Sequence, residues 1–496
     1  MNLKKYYIYL LPLVFVACEP EFDDVSFNGG SADFSSVVTV GNSLTAGYQS
    51  NALRREKQEV SMAAIIAGQF KQIGGGEFKQ PLMDPGVGLG NPGTDNNAEW
   101  GLFLKQNCKL KVGPTPFPIA TSGQVDQLSP NAWVGSQGPF NNVSVPGAKS
   151  FHLLAPGYGD PAGLAVVPPT ANPYYVRFAD QTNNQETVIA AAMRNNPTFF
   201  TLWIGNNDVL GYATTGGDEG NDAITNQAQF TQVYQLILNT LTSNGAKGVV
   251  ANIPDITTIP FFTTVKWNAL ELTQSQADDL NSGFAAYNQG VQGNLAANLI
   301  TQAEADRRTI SFKAGANGFV IFDNTLALLR DASGNQMPGT QMRQIKSNEL
   351  LTLRTPQDEI RCEGYGSVDT RDPNPAKWAP NPITENHVLD EDEIQAIQTA
   401  VDGFNATIKS EASSRGLAFF DANARMRELS NGITINGISF NADYITGGAF
   451  SLDGVHPNTR GYAILANDFI KAINATYGAN IPQVDVADYP TYEILQ

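Results

Sequence analysis

Four short apolar runs, each separated from the next by helix-like sequence, constrain this chain more than any other feature. They are "SSVVTV" (35–40), "PTFFTLWIG" (197–205), "AKGVVANIP" (246–254) and "LAFFDA" (417–422). Runs of this length without polar alternation read as strands buried on both faces. The first is followed by the helical "SMAAIIAGQFKQI" (61–73). In "NQAQFTQVYQLILNTLTSNG" (226–245), Phe230, Val233, Ile237 and Leu241 recur every three or four residues before a glycine, the pattern of an amphipathic helix with a C-cap. "DEDEIQAIQTAVDGFNATIKSEA" (390–412) carries Ile394, Ile397, Val401, Phe404 and Ile408 at helical spacing. Its acids fall in the first turn, where the helix dipole favours negative charge. "NTRGYAILANDFIKAINATYG" (458–478) predicts a closing amphipathic helix. Strands alternating with helices predict an α/β fold, a central parallel sheet covered on both faces.

Polar, Gly- and Pro-rich stretches at 74–146, 151–185, 209–224 and 255–388 interrupt this pattern and read as long loop insertions. Segments such as "GFVIFDNTLALL" (318–329) are apolar enough to pack. The expected organisation is one elaborated domain over 35–478, followed by a C-terminal tail, 479–496. No internal repeat is present.

The N-terminus reads as a processing signal. "MNLKKYYIYLLPLVFVAC" has two lysines, an apolar run from Tyr6 to Ala17, and then Cys18. That run is too short to span a bilayer but suits a signal-peptide core. Phe15-Val16-Ala17-Cys18 resembles a lipobox. The resemblance implies a signal peptide over 1–17, a lipidated Cys18 opening a flexible tether over 18–34, and an outer-membrane lipoprotein of the cell envelope. The acidic "EPEFDD" is similar to tethers of surface-exported lipoproteins. A net charge of −17 is wrong for nucleic acid, whose binding rests on Lys and Arg neutralising phosphates. It is equally wrong for electrostatic adhesion to anionic lipid, so membrane attachment is expected through Cys18. Apart from Cys18 the chain has only Cys108 and Cys362, which can pair in an oxidising compartment without forming a disulfide scaffold. With His152, His387 and His456 as the only histidines and no zinc-like spacing, no metal or cofactor is expected in the chemistry.

Four short motifs follow one another in order. "VGNSLTAG" presents Ser43 after the first strand, and "NNVSVPGAKS" (141–150) carries Gly147 in a small-residue turn. "IGNND" (204–208) follows the second strand with Asn207, and "SLDGVHPNTRGY" (451–462) sets Asp453 three residues before His456. Taken singly, each has a plain reading: a serine that caps a helix, a turn, a polar loop, an Asp-Gly turn beside a chance histidine. In a doubly wound sheet, however, loops at the carboxyl ends of the strands converge on one edge, so such distant segments can meet.

As an ordered set the motifs resemble the GDSL, or SGNH, family of serine hydrolases, whose blocks read G-D-S-L, a central Gly, G-x-N-D and D-x-x-H. The resemblance spans residues 41 to 456 and implies a flavodoxin-like three-layer α/β/α fold. It also implies Ser43 as nucleophile, His456 as general base and Asp453 as the group that orients the imidazole. The implied oxyanion donors are the backbone N–H groups of Ser43 and Gly147 and the side-chain amide of Asn207. A serine hydroxyl needs an adjacent base, and a base works best when a third group holds its tautomer. Asn42 stands where the family carries aspartate; it keeps an acceptor, loses the charge and gains a donor.

The implied activity is that of an esterase or acylhydrolase working through an acyl-serine, on a small-molecule, glycan or lipid ester, in a protein expected to be monomeric. Acyl transfer to a sugar or lipid acceptor is a variant of the same chemistry. The alternative from another class is a surface lipoprotein that binds glycans or lipids without catalysis, which the loop tryptophans Trp100, Trp133 and Trp378 and Asn42 permit. "FTTVKW" (262–267) and "GGAF" (447–450) are candidates to line a lipid tunnel, or else belong to satellite core. The 255–388 region carries no assignable motif.

Overall fold

The computed structural model describes residues 26–85, 88–90, 99–119, 133–372, 374 and 377–492, with the backbone of 494 and 495. The expected signal peptide, Cys18 and the first part of the tether lie outside the described residues.

All four anticipated strands form, and they pair in one parallel sheet: β1 (Val37–Gly41), β2 (Phe199–Trp203), β3 (Lys247–Ala251) and β4 (Ala418–Phe420), in that spatial order. Val40 pairs with Leu202, Thr201 with Val249, and Phe419 with Val250. Every residue of β1 and β2 is buried, as a sheet covered on both faces requires.

Residues 141–145 run parallel along the outer side of β1. The Thr39 N–H donates to Asn141 O (2.8 Å), Val143 N–H to Thr39 O (3.0 Å) and Val145 N–H to Gly41 O (3.1 Å). The insertion read over 74–146 therefore ends sooner, because its last residues belong to the sheet edge. Their sequence, "NNVSV", opens on two asparagines and reads as loop. In the fold the Asn141 side chain donates to Val37 O at 2.7 Å and accepts from Lys79 N–H at 2.8 Å, while Val143 and Val145 are buried.

The principal helices are α1 (Met62–Gln72), α2 (Asn207–Thr214), α3 (Gln227–Leu241), α4 (Gln274–Ala296), α5 (Glu391–Ser414), α6 (Ala422–Asn431) and α7 (Thr459–Tyr477). Side-chain caps start α1 at Ser61, α3 at Asn226, α5 at Asp390 and α7 at Asn458. Helices α1 and α7 pack together, as do α3 and α5. Phe199 of β2 meets Phe70 of α1 and Tyr477 of α7, while Phe230 of α3 stacks on Phe404 of α5 at 4.1 Å between centroids. Each such fully buried side chain stabilises the fold by about 1.5–3 kcal/mol relative to exposure.

The 255–388 insertion has a core of its own. Helix α4 buries Ala277, Leu280, Phe284, Tyr287 and Val291 against Ile310, Phe312, Val320, Leu329 and Met342. A smaller cluster joins Val265, Phe319, Ile321, Ile345, Leu351 and Ile383. Inside the insertion Arg343 is fully buried between Asp323 (2.6 Å) and a two-pronged contact with Glu349 (2.7 and 2.8 Å). Cys108 and Cys362 form a disulfide that ties the hairpin Trp100–Pro118 to this insertion.

Both ends of the described chain are docked. Asn28 and Asn480 exchange backbone hydrogen bonds, Ser31 N–H donates to Tyr477 O, and Phe34 is buried. The described part of the expected flexible tether, 26–34, is therefore held against the domain. In the tail, Ile481 and Val486 are buried.

Candidate active site

Chain order places a glycine at the carboxyl end of β1, Gly41, and another two residues past β2, Gly205, and the candidate residues follow. Ser43 is the first residue of a helical turn, Ser43–Ala46, whose N-cap is Asn42: its Oδ1 accepts from Leu44 N–H at 3.1 Å. The turn directs the serine toward the loop before α7. The Ser43 Oγ lies 2.8 Å from His456 Nε2, although 413 residues separate them. His456 Nδ1 lies 3.0 Å from Asp453 Oδ2. The other Asp453 oxygen accepts from the backbone N–H groups of Val455 (2.9 Å) and His456 (2.8 Å). Burial raises the Asp453 carboxyl. The neighbouring imidazole, its hydrogen bond and the two backbone donors outweigh that, and the group lies below its ordinary value.

The expected oxyanion donors, the N–H groups of Ser43 and Gly147 and the Asn207 side-chain amide, come from three separate segments. Gly147 has φ +78° and Gly205 has φ +115°, a region that glycine enters without steric cost. A Cβ on Gly205 would also stand 2.9 Å from Ile253. Asn207 opens α2, and its Nδ2 donates one hydrogen to Ala148 O at 2.9 Å. A primary amide has two, so a second is left for a ligand. Among the described residues, no acceptor engages the N–H of Ser43 or of Gly147.

Hydrogen bonds also knit the first three motifs together. Val145 N–H reaches Gly41 O, which joins the second motif to the first. Asn42 Nδ2 donates to Asn206 Oδ1 at 3.2 Å, which joins the first to the third. Asp208 accepts from Ser150 N–H (2.8 Å) and Ser150 Oγ (2.6 Å), which joins the third to the second. Asp208 is completely buried, and desolvation raises its carboxyl despite both bonds.

Other contributors escaped the sequence reading. Ser50 (φ +51°) and Asn51 (φ +66°) adopt left-handed backbone, a conformation that is rare outside glycine and concentrates at functional sites. This aims the Asn51 N–H at Asp453 Oδ2 (3.1 Å) and the Ser50 N–H at Ser451 Oγ (2.9 Å). The Tyr48 ring packs beside His456, 4.8 Å between centroids. The only local signal was an asparagine in a turn; Ser50 gave none. His152 stacks on Tyr158, and its Nδ1 accepts from Lys149 N–H at 3.0 Å. Burial and the Lys149 charge hold it at about 4, so it braces the Gly147 loop as a neutral acceptor.

Of the two candidate tunnel segments, "FTTVKW" supplies Phe262 and Val265 to hydrophobic core, and Ala449 and Phe450 of "GGAF" are core residues too that also line a cavity beside the triad. The loop tryptophans are half-buried, and the indole N–H groups of Trp133 and Trp378 are bonded to Ala179 O and Asp372 O. Among the described residues no group of three His, Cys, Asp or Glu side chains is arranged to hold a metal ion. No described helix is long and apolar enough to cross a membrane.

Comparison with protein-family models and with curated proteins finds no match to this chain.

Proposed function

We propose that this protein is a serine esterase or acylhydrolase of the GDSL/SGNH type. The fold we assign to it is flavodoxin-like, because residues 141–145 lie on one side of β1 and β2, β3 and β4 on the other. The observation that carries the functional reading is the continuous relay from Asp453 through His456 to Ser43, at 3.0 and 2.8 Å. In this reading Ser43 Oγ bonds to the ester carbonyl carbon while His456 Nε2 takes the hydroxyl proton. Asp453, held ionised, fixes Nδ1–H and stabilises the imidazolium. The N–H groups of Ser43, Gly147 and Asn207 Nδ2 receive the oxyanion. Collapse breaks the ester C–O bond, and His456 hands its proton to the departing alcohol. Water then attacks the acyl-serine through the same base, releasing the acid and restoring the Ser43 proton.

The lipobox-like Phe15–Cys18 supports a second element of the proposal, attachment to the cell envelope through lipidated Cys18. The test of the activity is hydrolysis of p-nitrophenyl acetate and labelling by a fluorophosphonate, each beside Ser43→Ala. Cleavage and labelling that both depend on Ser43 are expected. Equal activity in Ser43→Ala would overturn the assignment, and absence of both would favour the non-catalytic binder.

A further inference from the structure

We propose that the apolar cavity beside the triad binds the acyl chain of the ester, and that its size selects chains of about four or five carbons. This rests on the esterase reading above. Chain neighbours of the reacting groups line the cavity: Leu44 directly follows Ser43, and Val455 and Pro457 flank His456. All three are half-buried. Beyond them the space runs between α6 and α7, past Phe450, Met426 and Leu429. Arg425 is the only charged residue of the lining. Its guanidinium is committed to Asp468 through two bonds, 2.6 and 2.7 Å, and to Glu428 at 2.6 Å. The other lining side chains are apolar save the Trp203 indole, whose N–H is bonded to Asn252 O, so they offer water few of the two to four polar partners that it needs to be held in a cavity. An alkyl group, by contrast, gains contact with every wall.

The volume of about 90 Å³ sets the length. An apolar cavity of about 150 Å³ holds a benzene ring of six carbons, which sets the volume needed per carbon. Three or four methylene or methyl groups therefore fit beyond the carbonyl. An acetyl group would leave the cavity empty, and a long fatty chain would overrun it.

Full-length protein should be assayed on p-nitrophenyl acetate, butyrate, pentanoate and decanoate. The wild-type kcat/KM is expected to rise up to about fourfold per methylene to pentanoyl, then level or fall. The readout is the pentanoyl-to-acetyl ratio within each protein, which cancels any loss of folded material. Leu429→Trp, which fills the cavity, should collapse that ratio toward one. Leu429→Ala, which enlarges it, should shift the optimum toward decanoyl. Opposite shifts are not the signature of general damage. Binding of sodium pentanoate to Ser43→Ala protein, read by saturation-transfer NMR, should be lost in the Ser43→Ala, Leu429→Trp double variant. Ser43-dependent cleavage without chain-length preference, and with no pentanoate bound, overturns the pocket and leaves the esterase. Pentanoate binding that Leu429→Trp blocks, with no Ser43-dependent cleavage, overturns the esterase and with it the acyl-ester role.

Discussion

The carboxylate of Asp208 grips Ser150 twice, at its N–H (2.8 Å) and its Oγ (2.6 Å). Asp208 follows Asn207, and Ser150 lies three residues after Gly147, so this contact sets the spacing of two of the three proposed oxyanion donors. Ser150→Ala and Asp208→Asn are expected to lower kcat by roughly tenfold or more with little change in KM. Outright loss of one such donor typically costs ~10²–10³. Steady-state kinetics on p-nitrophenyl acetate, with the rate of fluorophosphonate labelling, would check this.

Asp453 accepts from three backbone N–H groups as well as from His456. Asp453→Asn would preserve the shape but favour the wrong imidazole tautomer. A fall in kcat of ~10⁴ is expected, in protein with an unchanged circular dichroism spectrum.

Asn42 caps the turn that carries Ser43 and is itself buried. Asn42→Ala removes that cap and the bond to Asn206, an expected cost of about 1 kcal/mol, measurable as a lower Tm. Asn42→Asp is expected to retain turnover. The Asn206 side chain already has an unpartnered buried Nδ2, and rotation of that amide would offer an aspartate the donor it needs.

Glu393 closes the capping box of α5 by accepting from Asp390 N–H at 2.7 Å. Burial, with Asp390, Glu385 and Asp323 nearby, outweighs that bond and pushes the carboxyl up to about 8. The folded state thus holds a proton that the unfolded chain, near 4.5, releases. The associated stability is complete below pH 4.5 and is lost as pH rises to 8. Thermal melts should show Glu393→Gln gaining on the wild type across that window, with the gap constant above it.

The disulfide between Cys108 and Cys362 closes a sequence separation of 254 residues. Reduction, or Cys362→Ser, is expected to lower stability by about 2–5 kcal/mol. Dithiothreitol should lower the Tm of the wild type and leave that of Cys362→Ser unmoved.

Local sequence determined the strands and helices of the sheet domain. Runs such as "PTFFTLWIG" allow few alternatives, and α3, α5 and α7 carry their apolar residues at a period that only a helix satisfies. The ordered motifs singled out Ser43, Gly147, Asn207, Asp453 and His456 because the proposed chemistry asks for each of those residue types at its place in the order. Tertiary structure alone decided the rest. Helix α4 lies in a stretch so rich in Gln, Asn and Gly that its apolar stripe has meaning only against the partners it meets. The edge segment 141–145 is a sheet element because β1 offers it hydrogen bonds, not because of its own propensity. The left-handed Ser50 and Asn51, the Asp208–Ser150 tie and the docking of residues 26–34 each depend on contacts between distant parts of the chain. A sequence pattern carries local preference, whereas which buried donor meets which acceptor is settled only when the sheet edge brings them together.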